Sequence, residues 1–141
     1  GEVYNNFFKI IDKFLKNIEL INEIEDCIIK FKKSYSELDD VIIYLKSLES
    51  NQEEEINGPA VEFLKMFSYI AVGFVWLKML IVATEKNNEK NNEFYLTKIK
   101  TGKYFFDKIL INTSYLKENI LSGASIYNDY KDKSFNSGFN L

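Results

Sequence analysis

Histidine and arginine are both missing from this chain, and cysteine and proline occur once each. Without His there is no Ser-His-Asp or Cys-His nucleophile pair, no His metal ligand, and no general base of the commonest kind. The Glu-x-x-His repeats of di-metal helix bundles cannot occur either. Every basic residue is Lys, which cannot form the bidentate fork that reads phosphates, carboxylates and guanine edges. A single Cys27 excludes an internal disulfide framework and a thiolate zinc site, and it fits a reducing, cytoplasmic compartment. Its place on an apolar helical stripe predicts a plain buried thiol. No G-x-G-x-x-G or G-x-x-x-x-G-K-[ST] loop is present. A net charge of -3 gives no electrostatic reason to expect nucleic acid. The chain opens Gly1-Glu2-Val3, without initiator Met, basic n-region or cleavage motif, and reads as a fragment of a longer protein.

What is there points to helices. The 141 residues fit one domain, and apolar residues at 46% are too abundant for a disordered chain. Phe7, Ile11, Phe14, Ile18 and Ile21 alternate steps of four and three, which lines one helix face. Ile24, Ile28, Phe31, Tyr35, Leu38, Ile42 and Leu45 repeat the alternation. Between Ile21 and Ile24 the rhythm slips, so a joint is expected within 19–23; one long, locally overwound helix is the alternative. Ser34 and Glu37 could form a capping box, but the unbroken stripe over 24–45 argues against a break there. Ser50-Asn51-Gln52-Glu53-Glu54-Glu55 is polar, and Asn57-Gly58-Pro59 then introduces a third helix. EKNNEKNNE over 85–93 reads as a polar connector. The fourth helix buries Leu96, Ile99, Gly102, Phe106, Ile109, Leu110, Leu116 and Ile120, and Ser122-Gly123 closes it. The expectation is an all-α, four-helix, bundle-like up-down domain over 1–141. Its helices lie at about 4–19, 22–51, 59–86 and 92–122, with a partly irregular tail over 124–141.

Helix three is the most informative element. Its segment 63–83 holds only two charges, Lys65 and Lys78. The length suits a membrane span. Two Lys inside it oppose insertion by roughly 2.5–3.5 kcal/mol each near the bilayer centre. Three amphipathic neighbours favour a central helix of a soluble bundle. Three small partners would hardly wrap it, so part of its surface is expected to meet another domain or subunit.

No residue group stands out for catalysis. Glu53-Glu54-Glu55 and the set Glu37, Asp39 and Asp40 read as solvated faces, as do Lys30, Lys32 and Lys33. Lys65 and Lys78 are the only Lys in an apolar setting, where a snorkelling or paired ammonium is commoner than a Schiff-base amine.

The segment Phe63-Leu64-Lys65-Met66-Phe67-Ser68-Tyr69-Ile70-Ala71-Val72-Gly73-Phe74-Val75-Trp76-Leu77-Lys78-Met79 resembles the signature helix of the C-terminal domain appended to one branch of the acyl-CoA dehydrogenases. Lys65 and Lys78 stand at its two basic positions, Trp76 at its aromatic one and Gly73 at a small one. Lys98-Ile99-Lys100-Thr101-Gly102-Lys103-Tyr104-Phe105-Phe106, followed by Ile109-Leu110, and Ser122-Gly123-Ala124 are similar to its following helix and closing turn. Ser68 and Gly102 replace a Gly and an Ala, and Asn112 stands near a customary Pro. The missing Pro puts a kink in helix four in doubt.

The resemblance implies a parent that oxidises acyl-CoA to enoyl-CoA with FAD, whose catalytic core lies upstream. It assigns no catalytic, FAD-binding or metal residue to this chain. It implies packing on the dehydrogenase core of the same chain or a neighbouring subunit in a homo-oligomer, with Lys65, Phe67, Gly73, Trp76 and Lys78 as interface candidates. The implied role is assembly or shaping of the substrate entrance. The alternative is a free-standing helical adaptor that docks a partner through the stripe over 24–45.

Overall fold

A computed structural model describes residues 2–49 and 59–129. The carboxylates Glu53, Glu54 and Glu55 and the tail aromatics Tyr130, Phe135 and Phe139 lie outside the described residues. Within them the fold is all-α. Helices α1 (Glu2–Asn17), α2 (Glu25–Glu49) and α3 (Ala60–Glu89) are followed by a fourth arm, made of α4 (Glu93–Tyr104), a π-helical turn (Phe105–Ile109) and α5 (Asn112–Asp129).

The slip in the hydrophobic rhythm coincides with a joint. α1 ends at Asn17, residues 18–21 are non-helical, and a single 3-10 turn (Asn22–Ile24) leads into α2. Ser34 and Glu37 lie mid-helix, so no capping box interrupts α2. Pro59 precedes α3, and its carbonyl accepts from the Phe63 amide at 2.9 Å. α3 runs on through Glu89, further into the Asn/Lys-rich stretch than predicted, leaving 90–92 as the reversal. Asn92 caps α4, its side chain accepting from the Phe94 amide at 2.9 Å.

The fourth arm departs most from expectation, because the single predicted helix is broken. The π-helical turn sets the Leu110 amide on the Phe105 carbonyl at 2.8 Å, and α5 restarts at Asn112. The Asn112 side chain donates to the Ile109 carbonyl at 2.9 Å and secures the restart without proline. The extra residue shifts the buried stripe, so Phe105 and Thr113 turn inward while Leu96 is left exposed. The backbone also stays helical past Ser122-Gly123 through Asp129, where an end was expected.

Neighbouring elements alternate in direction. Tyr4 meets the Phe67 ring at 5.1 Å and Phe14 meets Phe74 at 5.2 Å, so α1 runs parallel to α3. Lys30 pairs with Asp107, and Lys117 with Asp40 at 2.8 Å, so α2 runs parallel to the fourth arm. The core gathers Ile11, Ile24, Phe31, Leu38, Met66, Leu77, Phe106 and Leu110, among others. The α2 stripe proposed for an adaptor is therefore turned inward: Phe31 and Leu38 have no exposed surface. It is not free to receive a partner helix.

Candidate docking face

α3 is long and apolar enough to cross a membrane by length and composition. In the bundle, Met66, Ile70, Gly73, Phe74, Leu77, Leu80, Ala83 and Thr84 form its buried side. That side is built by close approach. A Cβ at Gly73 would stand 3.3 Å from the Phe31 ring, so the bare glycine lets that ring reach the helix backbone. At Gly102 of α4 a Cβ would stand 2.6 Å from Leu80 Cδ2. Phe7, Phe8 and Tyr4 of α1 surround Phe67. Each such ring pair contributes about 0.5–1.5 kcal/mol beyond its burial.

The opposite side of α3 has no partner among the described residues. Val61, Leu64, Val72, Val75 and Val82 are each roughly half exposed, at 57, 52, 47, 53 and 52%. With Ser68 and the half-buried Met79 they form a ridge along the helix, in steps of three and four. On one flank α1 adds Ile10, Lys13 and Phe14 beside Ile81. On the other flank α4 adds Phe94, Thr97, Lys98 and Thr101 beside Trp76.

The interface candidates divide between the two sides. Lys65 and Lys78 are exposed at the edges of the ridge. The Lys78 ammonium lies 5.0 Å from the centre of the Phe74 ring, a snorkelling geometry and not a buried amine. Trp76 is half buried, stacked on Phe105 at 6.5 Å, with the Lys98 ammonium 5.9 Å from its ring. Phe67 and Gly73 face the interior, where the α1 rings and Phe31 occupy them. They are packing residues, and the ridge valines are the surface that the sequence pattern did not separate from the core. A burial pattern shows which residues are apolar, whereas the choice of face depends on where the neighbouring helices stop.

Three charged groups read as solvated are engaged: Glu37, Lys30 and Asp40. Glu37 is 9% exposed, and its Oε1 lies 3.3 Å from Thr113 Oγ1. That hydroxyl also lies 2.8 Å from Ser34 Oγ and 3.0 Å from the Leu110 carbonyl oxygen, making a polar node just after the π-helical turn. Lys30 joins Asp26 at 2.7 Å and also Asp107. The hydrogen bond from Lys30 holds the Asp107 carboxyl below the usual carboxylate range. Asp39, Lys32 and Lys33 are exposed as expected, while the exposed Asp40 is paired with Lys117.

Among the described residues, no group of three or more His, Cys, Asp or Glu side chains could hold a metal ion. Cys27 is buried, and burial first, then the Asp26 carboxylate, pushes its thiol up to about 11, which keeps it protonated near neutrality. Gly73 and Gly102 are helical and covered by Phe31 and Leu80, so neither offers the open backbone that seats a pyrophosphate.

Comparison with curated proteins and with solved structures returned no match. The profile of the family described as acetyl-CoA dehydrogenase C-terminal like matches residues 7–130, from within α1 through α5. The chain belongs to the acetyl-CoA dehydrogenase C-terminal-like family.

Proposed function

We propose that this chain is a non-catalytic helical domain of an FAD-dependent acyl-CoA dehydrogenase, working in a reducing cytoplasm. Its ridge on α3 packs against the dehydrogenase core of the same chain or of a neighbouring subunit in a homo-oligomer. The observation that carries the reading is the row of half-exposed valines on a helix whose other side is core. A patch of that length left in water favours association. Family membership supports a dehydrogenase core as the surface that covers it. The parent's flavin chemistry belongs to that core, and the domain's contribution is assembly or the shape of the substrate entrance.

The test uses the full-length polypeptide that carries this chain. Its visible spectrum should show a flavin band that an acyl-CoA thioester bleaches. Val72→Asp with Val75→Asp should then change its oligomeric state, stability or chain-length preference. A colourless product, or a coloured one in which all three properties are unmoved by the double substitution, would overturn the reading.

A further inference from the structure

The charges around the ridge restrict what can cover it. Between Phe63 and Thr84, α3 carries Lys65 and Lys78 and no carboxylate. The two ammonium groups sit on opposite flanks of the ridge, about 20 Å apart along the axis at 1.5 Å rise per residue. Lys13 of α1 reinforces the flank of Lys78, and Lys98 of α4 that of Lys65. The nearby carboxylates lie outside that span, with Glu62 in the first turn of α3 and Glu19, Glu85 and Glu93 toward its C-terminal end. A chain of net charge -3 thus presents an apolar strip edged by ammonium groups.

A second copy of the chain would complement this strip poorly. A second ridge laid on the first would bring two more ammonium groups to the apolar span, with no acidic residue between Phe63 and Thr84 of either α3 to neutralise them. An anionic lipid surface would match the charge but not the shape. Interfacial helices insert rows of Trp, Phe and Leu, whereas this ridge is mostly valine, with Leu64 near one end, Ser68 at its middle and Phe94 and Trp76 only on one flank. Short side chains at helical spacing suit the close approach of another helix.

We infer that the α3 ridge receives a helix of the dehydrogenase core whose flanks carry carboxylates opposite Lys65 and Lys78, and not a second copy of this chain. The inference rests on the packing reading above and adds the kind of element and its charge.

The probe is a pair of synthetic amphipathic peptides of about three heptads, with Leu on one face and either Glu or Lys on both flanks. Each is titrated into the 141-residue chain. Trp76 reports binding, since it is the sole Trp and borders the ridge. The Glu peptide should bind about tenfold more tightly than the Lys peptide at low salt, as several rim pairs together would give. The preference should shrink in high salt. Lys65→Glu with Lys78→Glu should reverse it, and Val72→Asp with Val75→Asp should abolish binding of both peptides. Both pairs are exposed, so the thermal melt should hold.

Equal binding of the two peptides, or binding of neither, would overturn the inference. So would a self-dimer that Val72→Asp with Val75→Asp dissolves, or partition onto phosphatidylglycerol vesicles in preference to the Glu peptide. If the full-length protein is a flavoprotein whose assembly depends on Val72 and Val75 while the two peptides bind alike, the packing reading stands and the acidic helix falls. If the full-length product is colourless while binding is Glu-selective, the preference for an acidic helix stands and the dehydrogenase core falls as its source.

Discussion

Leu80 occupies the space that a side chain at Gly102 would need: Cδ2 lies 2.6 Å and Cγ 2.9 Å from where a Cβ would stand. The branch point is involved as well as the methyl, so Leu80 cannot yield by turning one terminal carbon. Gly102→Ala gains up to about 1 kcal/mol of helix propensity. It loses about 1–3 kcal/mol by overpacking. The net expectation in a urea titration is destabilisation. In a Leu80→Ala background the same substitution should become stabilising, because the clash is gone and the propensity term survives. The sign change in this double-mutant cycle is the check.

Two buried threonines should respond oppositely to the same change. Thr113 Oγ1 links Ser34, Glu37 and the Leu110 carbonyl, so Thr113→Val leaves a carboxylate at 9% exposure without its partner. The expected loss is about 1–3 kcal/mol. Thr84 Oγ1 is buried without a hydrogen-bond partner, so Thr84→Val removes an unpaired hydroxyl at constant shape. About 1 kcal/mol of stabilisation is expected. Equilibrium unfolding of the two variants side by side tests both signs.

The contrast between these threonines shows what was legible in the sequence. The alternation of three and four from Phe7 to Leu45 marked helices and even their joint, because periodicity records which face is dry. It did not reveal the π-helical turn over Phe105–Ile109, since neither proline nor glycine punctuates that stretch and the local signal is only Asn112 bonding back to Ile109. Glu37 looked like its neighbours Asp39 and Asp40. Its partner Thr113 is brought to it by the tertiary fold, so no local pattern could announce the pair. On α3 the fraction of apolar residues was plain, but the ridge from Val61 to Val82 emerges only when α1 and α4 are seen to stop short of it.

The Lys30–Asp107 bridge should appear in the acid limb of stability. The folded pKa of Asp107 lies below its ordinary value of 3.8, first because Lys30 donates a hydrogen bond to its carboxylate. Such a group stabilises the fold above its unfolded pKa and loses that contribution as pH falls through the folded one. Wild type should therefore melt above Asp107→Asn at neutral pH. The gap should close as pH falls from about 4 towards 2 and should narrow in salt. A gap that persists in acid would rule out the carboxylate as its source.

Cys27 governs an alkaline effect instead. Burial raises its thiol from 9.0 to about 11, so the unfolded chain loses its proton first. The contribution is intact below pH 9 and is lost as pH rises towards 11. Tyr35 adds an alkaline term of its own, since burial first and the Asp12 carboxylate second push its phenol up. Replacing Cys27 by Ala should flatten the stability curve in that interval relative to wild type. Near neutrality an aromatic disulfide reagent should label Cys27 only as fast as the bundle opens, with the rate rising steeply in denaturant.

α1 supplies one fully buried side chain, Ile11, and otherwise adheres through ring contacts to α3 and the Tyr35 hydroxyl, which donates to Asp12 at 2.8 Å. The non-helical stretch over 18–21 couples it loosely to α2. Amide exchange should therefore begin at α1 while α2 and α3 stay protected, since weakly anchored elements open first. Detachment of α1 would uncover Phe67 and Phe74 next to the valine ridge and widen the apolar strip. The first step of unfolding would thus also create a stickier species than the native bundle, and a covered ridge would protect against aggregation as well as hold the assembly together.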